Sequence, residues 1–167
     1  LPVFSDDTLR QEVLKKRGYR QRIDRWEHHY WRDLDKPLPE TPVLPGYEIR
    51  SMGSLDEHQA RSWASWRTFH SVEPDSAYDP DPSWFLNLQS APLYRRDLDI
   101  VAVIPSGEMA AFCTISYDDV THSAVVVLAG TTAEHCRHGL GRALMIEGML
   151  RLKDLGCTRV FASAEET

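Results

Sequence analysis

Four prolines fall within nine residues, at Pro37, Pro39, Pro42 and Pro45. Each fixes its own φ, lacks an N–H donor and pushes the preceding residue toward extended backbone, so neither a helix nor a central strand passes through them. Residues 35–46 are therefore expected to form an extended, semi-rigid connection between a leading segment, 1–34, and a larger body, 47–167. A long surface loop inside one domain is the other reading of the same stretch.

The body mixes strand and helix signals. Residues 47–52 alternate like a strand, and Ser54 with Glu57 three positions on reads as a capping box opening a helix toward His70. An Asp-, Pro- and Ser-rich loop follows to Pro82, where a short helix begins with Ser83 and Trp84. Residues 98–104 and 109–117 read as an antiparallel pair joined across Pro105, Ser106 and Gly107. The uncharged, β-branched run 124–129 is expected to be a strand covered on both faces. A helix over 139–155, stopped by Gly156, and a strand over 158–162 complete a mixed α/β layout, neither a repeat array nor a doubly wound fold. In the leading segment, Ser5 as N-cap, acidic residues in the first turn and Gly18 as a stop mark a short helix, and 19–34 is strand-prone.

The chemistry concentrates where the 124–129 strand hands over to its helix. Gly139 and Gly141, spaced by one residue at a helix start, let a ligand approach the backbone closely. The unpaired first-turn amides and the positive end of the helix dipole form an anion site suited to phosphate or pyrophosphate. Arg137 and Arg142 add forked donors for phosphate oxygens. The spacing is not the dinucleotide-binding G-x-G-x-x-G, and no G-K-[ST] of a P-loop is present.

The strand ending in Leu128, Ala129, Gly130 and Thr131, the turn Arg137-His138-Gly139-Leu140-Gly141-Arg142-Ala143-Leu144, its helix and the following strand together resemble the core of the Gcn5-related N-acetyltransferases, over residues 47–167. That resemblance implies an acyl-CoA N-acyltransferase fold, α/β with a central mixed, largely antiparallel sheet flanked by helices. It also implies acetyl-CoA as cosubstrate, held by Ala129, Gly130 and Thr131 along its pantetheine arm and by Arg137, His138, Gly139, Leu140, Gly141, Arg142 and Ala143 at its pyrophosphate. The family usually has Arg or Gln where Cys136 stands, three residues before the first glycine, a Pro at Ala133 and a Val at Thr131. Residues 9–19 look like the last helix and the start of the next strand of another such module. On that resemblance 1–34 is the tail of a preceding module in a tandem protein, and 47–167 lacks its own last helix and strands. The leading segment is then expected to pack where those elements belong or against a neighbour.

In the family's mechanism an amine attacks the thioester, which requires a base, oxyanion donors and an acid for the thiolate. Backbone amides near 129–131 are the expected oxyanion donors, and the family's acidic Tyr falls beyond Thr167. Glu165 and Asp118, at strand ends, are the candidate bases, since Val125 and Val127 occupy the stretch where relatives often place an acid. His122 and His135 read as solvated histidines. Trp63, Trp66, Phe69, Trp84 and Phe85 gather around two helices that border the acceptor site in this fold, with core packing as their plainer role. Two functions follow: N-acetyl transfer to an amine-bearing acceptor, or a catalytically degenerate module that binds acetyl-CoA or packs on a partner module.

Composition limits the partners. With 167 residues and a net charge of −6, the chain can build one globular domain but lacks the basic footprint of a nucleic-acid or anionic-membrane surface. No apolar run approaches the roughly 18 residues of a membrane span, and the first residues lack a signal-peptide layout, so a cytoplasmic location is expected. Cys113, Cys136 and Cys157 form no close pair and read as reduced thiols, with no metal site. The chain starts without Met and stops at Thr167 just after a strand-like stretch. Both ends are expected to be cuts from a longer polypeptide, with a second module or a homodimer as a possible partner.

Overall fold

The computed structural model describes residues 3–21 and 27–165, the side chain of Glu165 excepted. Residues 22–26, part of the strand-prone stretch, lie outside the described residues. The chain divides into two compact units, Leu1–His28 with Ser163–Thr167 and His29–Ala162.

The first unit holds helix α1 (Thr8–Lys16). Its N-cap is Asp7, not Ser5, because the Asp7 carboxylate accepts from the Arg10 amide at 3.0 Å. The acidic residues therefore precede the helix instead of filling its first turn, while Lys15 and Lys16 sit at its negative end. Beyond Arg17, Gly18 takes φ +84 and ends it.

The second unit carries most of a six-stranded sheet in the order β1-β6-β5-β4-β3-β2, formed by β1 (Glu27–Asp33), β2 (Glu48–Ser51), β3 (Tyr94–Val103), β4 (Met109–Asp118), β5 (Ser123–Thr131) and β6 (Arg159–Glu165). The pairs β2–β3, β3–β4 and β4–β5 are antiparallel, and β5–β6 is parallel across the helix crossover. Helices α2 (His58–Phe69) and α3 (Ser83–Gln89) and the longer α4 (Leu140–Asp154) supply the covering layers.

Strand alternation separates two clusters. Ile100, Cys113, Ile115 and Ala124 join Leu140, Leu144 and Leu152 of α4, all nearly fully buried. Met52, Val101 and Phe112 join Ala64 of α2 and Phe85 of α3. Each fully buried Leu, Ile or Phe contributes about 1.5–3 kcal/mol of apolar transfer.

Three local expectations change. Strand β3 begins at Tyr94, ahead of its apolar run. Ser54 is the N-cap of a 3-10 turn (Leu55–Glu57) ahead of α2, but its hydroxyl donates to Asp56 at 2.6 Å and makes no capping bond, while the Glu57 carboxylate accepts from the Gly53 amide at 2.7 Å. Strand β5 is covered on both faces only toward its end: Ala124 and Val126 pack on the α4 side, Val125 and Val127 are 43% and 41% exposed, and only from Leu128 on does the α2 side cover it. The run looks two-sided in sequence because valines alternate with valines and leucine, which hides the period.

Residues 35–46 form no helix or strand and lie in the same unit as the sheet. Leu38 and Leu44 pack on the α4-side cluster, and Thr41 donates to Glu147 of α4 at 2.9 Å.

Candidate functional site

Strand β5 is built differently along its two edges. Against β4 it pairs from Ser123 to Thr131, with a bulge that leaves Val127 without a partner between Val126 and Leu128. Against β6, among the described residues, it pairs only at Ser123↔Arg159, Ala124↔Val160 and Val125↔Phe161. The strand then runs on to Thr131, presenting Ala129, Gly130 and Thr131 on an edge that this ladder no longer covers. Such an edge offers amides and carbonyls to any extended chain laid beside it. Gly130 is required there for packing: a Cβ would come within 2.5 Å of Thr68 on α2 and 2.7 Å of Phe112.

A 3-10 turn (Ala133–His135) leads into the glycine turn. Arg137 takes φ +65 and Gly139 φ +84, so the chain reverses before α4 starts at Leu140. Gly139 is the N-cap and has no side chain to accept from the helix amides. The Ala143 amide returns to the Gly139 carbonyl at 3.0 Å, leaving those of Leu140, Gly141 and Arg142 as first-turn donors. A Cβ on Gly139 would meet nothing within 4 Å, so the space above the turn is open. Arg137, His138 and Arg142 are exposed around it, and no ion pair engages either guanidinium among the described residues. The Leu140 and Ala143 side chains are buried and anchor the helix.

Two features of this turn carry no sequence signal. The Cys136 thiol folds back on the end of β5, within 3.4 Å of the Thr132 carbonyl, so it does not point at the anion site. Tyr47 and His135 form a pair 88 residues apart, the Tyr47 hydroxyl lying 3.0 Å from His135 Nδ1, with Glu108 3.7 Å from Nε2. They tie the turn to the start of β2 and to the β3–β4 hairpin.

On the other face, α2, α3 and the loop between them line an open cavity of about 500 Å³ with Leu128 of β5 in its wall. Trp63 and Trp66 stack at 5.5 Å and both meet the Tyr78 ring, and Trp66 also stacks on His70 at 5.6 Å. Trp84 donates to Ser62 at 3.0 Å. Only Phe85 of the expected aromatic cluster is fully buried, whereas Phe69 and Trp84 remain 54% and 39% exposed. His70 Nδ1 lies 3.1 Å from the Trp66 carbonyl. A carbonyl only accepts, so Nδ1 carries the proton and the neutral ring keeps its lone pair on Nε2.

The α2 wall is held by buried charge. Arg61 is fully buried, donates to Thr114 at 3.1 Å and lies over the Phe112 ring at 3.8 Å, with its Nε 3.9 Å from Asp99. Thr114 and Tyr94 both donate to Asp99, at 2.7 and 2.9 Å. Burial lowers the Arg61 guanidinium to about 10, with Asp99 opposing, which leaves it charged at neutral pH. Burial also pushes the Cys113 thiol up to about 12, so it stays protonated. Arg67 joins the cavity loop to the glycine turn, reaching Asp75 at 3.0 Å and Glu134 at 2.8 Å. The Arg67 hydrogen bond holds the Glu134 carboxyl below its ordinary value.

Of the two candidate bases, Asp118 lies at the β4–β5 hairpin, paired with Ser123 at the end of β5 opposite the glycine turn. Eight residues of strand separate those ends, roughly 26 Å at about 3.3 Å per residue. There Asp118 accepts from the Val120 amide and the Thr121 hydroxyl, which fixes the hairpin and lowers its carboxyl. Glu165 ends β6, and its side chain lies outside the described residues. Among the described residues no group of His, Cys, Asp and Glu could hold a metal ion, and no helix is long and apolar enough to cross a membrane.

No family model matches the chain, and no curated protein matches it. Solved structures do. The fold is similar to that of a Gcn5-related N-acetyltransferase from Sphaerobacter thermophilus, at TM-score 0.70 and 20% identity over 97% of this chain and 49% of that one. A tandem protein of the same family from the clavulanic acid biosynthesis pathway matches at TM-score 0.70 and 17% identity, over 98% of this chain and 52% of that one. A family member from Escherichia coli in complex with CoA matches at TM-score 0.52 and 20% identity, over 69% of this chain and 60% of that one. The fold of this chain is that of the Gcn5-related N-acetyltransferases. The chain spans about half the length of the first and second of these structures.

Proposed function

We propose that the chain is the acetyl-CoA-binding part of an N-acetyltransferase that moves the acetyl group to the amine of an acceptor. The observation that carries this reading is the conjunction of the uncovered edge of β5 with the open glycine turn at its end. The first suits an extended pantetheine arm, the second a pyrophosphate. The residues present fit the group: the Leu140, Gly141 and Arg142 amides and the exposed Arg137 and Arg142 supply donors, and nothing fills the space above Gly139.

Acetyl-CoA supplies the thioester. The acceptor amine, neutral after losing a proton, adds its lone pair to the acetyl carbonyl; the C–N bond forms, the C–S bond breaks and the thiolate takes up a proton. Amides near Ala129, Gly130 and Thr131 are placed in this reading to stabilise the oxyanion. His70, on the cavity wall with Nε2 free to accept, is the proton acceptor we favour over Asp118. A cytoplasmic location goes with this cosubstrate.

A degenerate module of the same fold is the second reading. Val125 and Val127 favour it, because they leave β5 without an acid. In either case residues 1–34 are read as the tail of a preceding module, a reading supported by β1 lying next to β6 in the sheet. Calorimetric titration of the full-length protein with acetyl-CoA, followed by thiol release with amines, decides between them. Binding with amine-dependent CoA release is expected; binding without release leaves the degenerate module that holds acetyl-CoA, and no binding removes both of these and leaves only a module that packs on a partner.

A further inference from the structure

Resting on the transferase reading above, we propose that the cavity between α2, α3 and β5 takes a small cationic amine carried on a flat apolar body. Its volume, about 500 Å³, lies in the range of small-molecule sites. Trp66, Trp84, Phe69 and Tyr78 line it, and the exposed fractions of Trp84 and Phe69 show aromatic surface that the core does not use. Ring faces stack on flat groups and attract ammonium ions.

The charge on the wall has one sign. Asp79 and Asp81 line the cavity, and among the described residues no Lys or Arg does. Arg67, on the same helix, is engaged by Asp75 and Glu134. Both carboxylates are fixed by the loop: Asp79 accepts from the Asp81 amide, and Asp81 from the Ser83 amide and hydroxyl. Each keeps lone pairs for a further donor.

A polyhydroxylated amine fits poorly, because its hydroxyls need many partners and the exposed lining is mainly apolar, with Trp66, Phe69, Trp84 and Leu128 in it. A flat body with one ammonium matches the aromatic wall and the acidic rim with few polar groups left over.

Calorimetric titration of the full-length protein with phenethylamine, phenethyl alcohol, spermidine and kanamycin tests this, with acetyl-CoA titrated in parallel. Phenethylamine is expected to bind at least about tenfold more tightly than the other three, a difference of about 1.4 kcal/mol. Asp79→Asn, which keeps the oxygen that holds Asp81, and Trp84→Leu are each expected to weaken phenethylamine about tenfold and leave acetyl-CoA unchanged. Equal binding of phenethyl alcohol, tighter binding of spermidine or kanamycin, or indifference to both substitutions overturns the proposal. Acetyl-CoA binding without amine binding removes this proposal and leaves the transferase reading. Amine binding without acetyl-CoA binding keeps the ligand class and removes that reading.

Discussion

The glycine turn and the aromatic cavity lie at β5 but are made of different material. On the reading proposed above the turn is a backbone site: its donors are amides of three consecutive residues, its shape depends on one left-handed glycine, and Cys136 beside it turns away. The cavity is a side-chain site, assembled from α2, a loop, α3 and one residue of β5. A backbone site tolerates side-chain change and fails when the backbone is altered. A side-chain site behaves the opposite way, and depends on whatever holds its elements in place.

The largest test of that contrast lies beneath the cavity. Asp99→Ala removes the carboxylate that faces the fully buried Arg61 and accepts from Thr114 and Tyr94. An uncompensated buried charge is expected to cost about 3–5 kcal/mol, read as a lower urea midpoint. Replacing Arg61 and Asp99 together by Met and Leu is expected to restore much of it. A loss under about 1 kcal/mol would mean that α2 is held by apolar packing alone.

Next in size is the turn itself. Gly139→Ala places a Cβ at φ +84, which costs about 1–2 kcal/mol although the side chain meets no atom. We expect acetyl-CoA affinity to fall about tenfold, or about 1.4 kcal/mol, with phenethylamine binding unchanged. Equal losses at both ligands would erase the distinction between the two regions.

How legible each region is in the sequence follows from the same difference. Gly139, Leu140, Gly141 and the helix behind them are contiguous, so the turn could be picked out in the sequence, although only the strands around it raise the spacing to a reading of an anion site. The cavity joins Ser62, Tyr78, Trp84 and Leu128, and nothing local marks them as neighbours. Its tryptophans read as core because size and apolarity are what the core selects. Arg61 has no signal at all: a charged residue in a helix reads as solvent-facing, and only β3 and β4 beneath it make burial tolerable. The element order was readable because β3, β4 and β5 are apolar runs set apart by turn residues and α4 is bounded by Gly139 and Gly156. The covered face of β5 was not, because coverage depends on elements distant in sequence.

A smaller effect is expected at the beginning of α2. Arg50 holds the Glu57 carboxyl below its ordinary value, the Gly53 amide adding to this. A depressed carboxyl stabilises the fold above its unfolded value, about 4.3, and loses that contribution as pH falls through the lower folded value. Glu57→Gln should therefore flatten the stability profile below about pH 5 and cost up to about 1 kcal/mol above it. An unchanged acid limb in thermal melts at graded pH would assign that slope to other carboxylates.

The smallest expected effect is the most informative about the turn. Cys136 stands where the related family carries a basic or amide residue, which suggests weakened phosphate binding if that side chain supplies the contact. In this structure its thiol is turned to the Thr132 carbonyl, while the Leu140, Gly141 and Arg142 amides and the exposed Arg137 supply the donors. Cys136→Ala should then change acetyl-CoA affinity by less than about threefold, under about 0.7 kcal/mol. Cys136→Arg should strengthen it modestly, and the gain should fade with added salt because an exposed guanidinium acts through screened charge. A large loss in Cys136→Ala would mean that the thiol's bond to the end of β5 sets the backbone of the turn, and that this site too depends on a side chain.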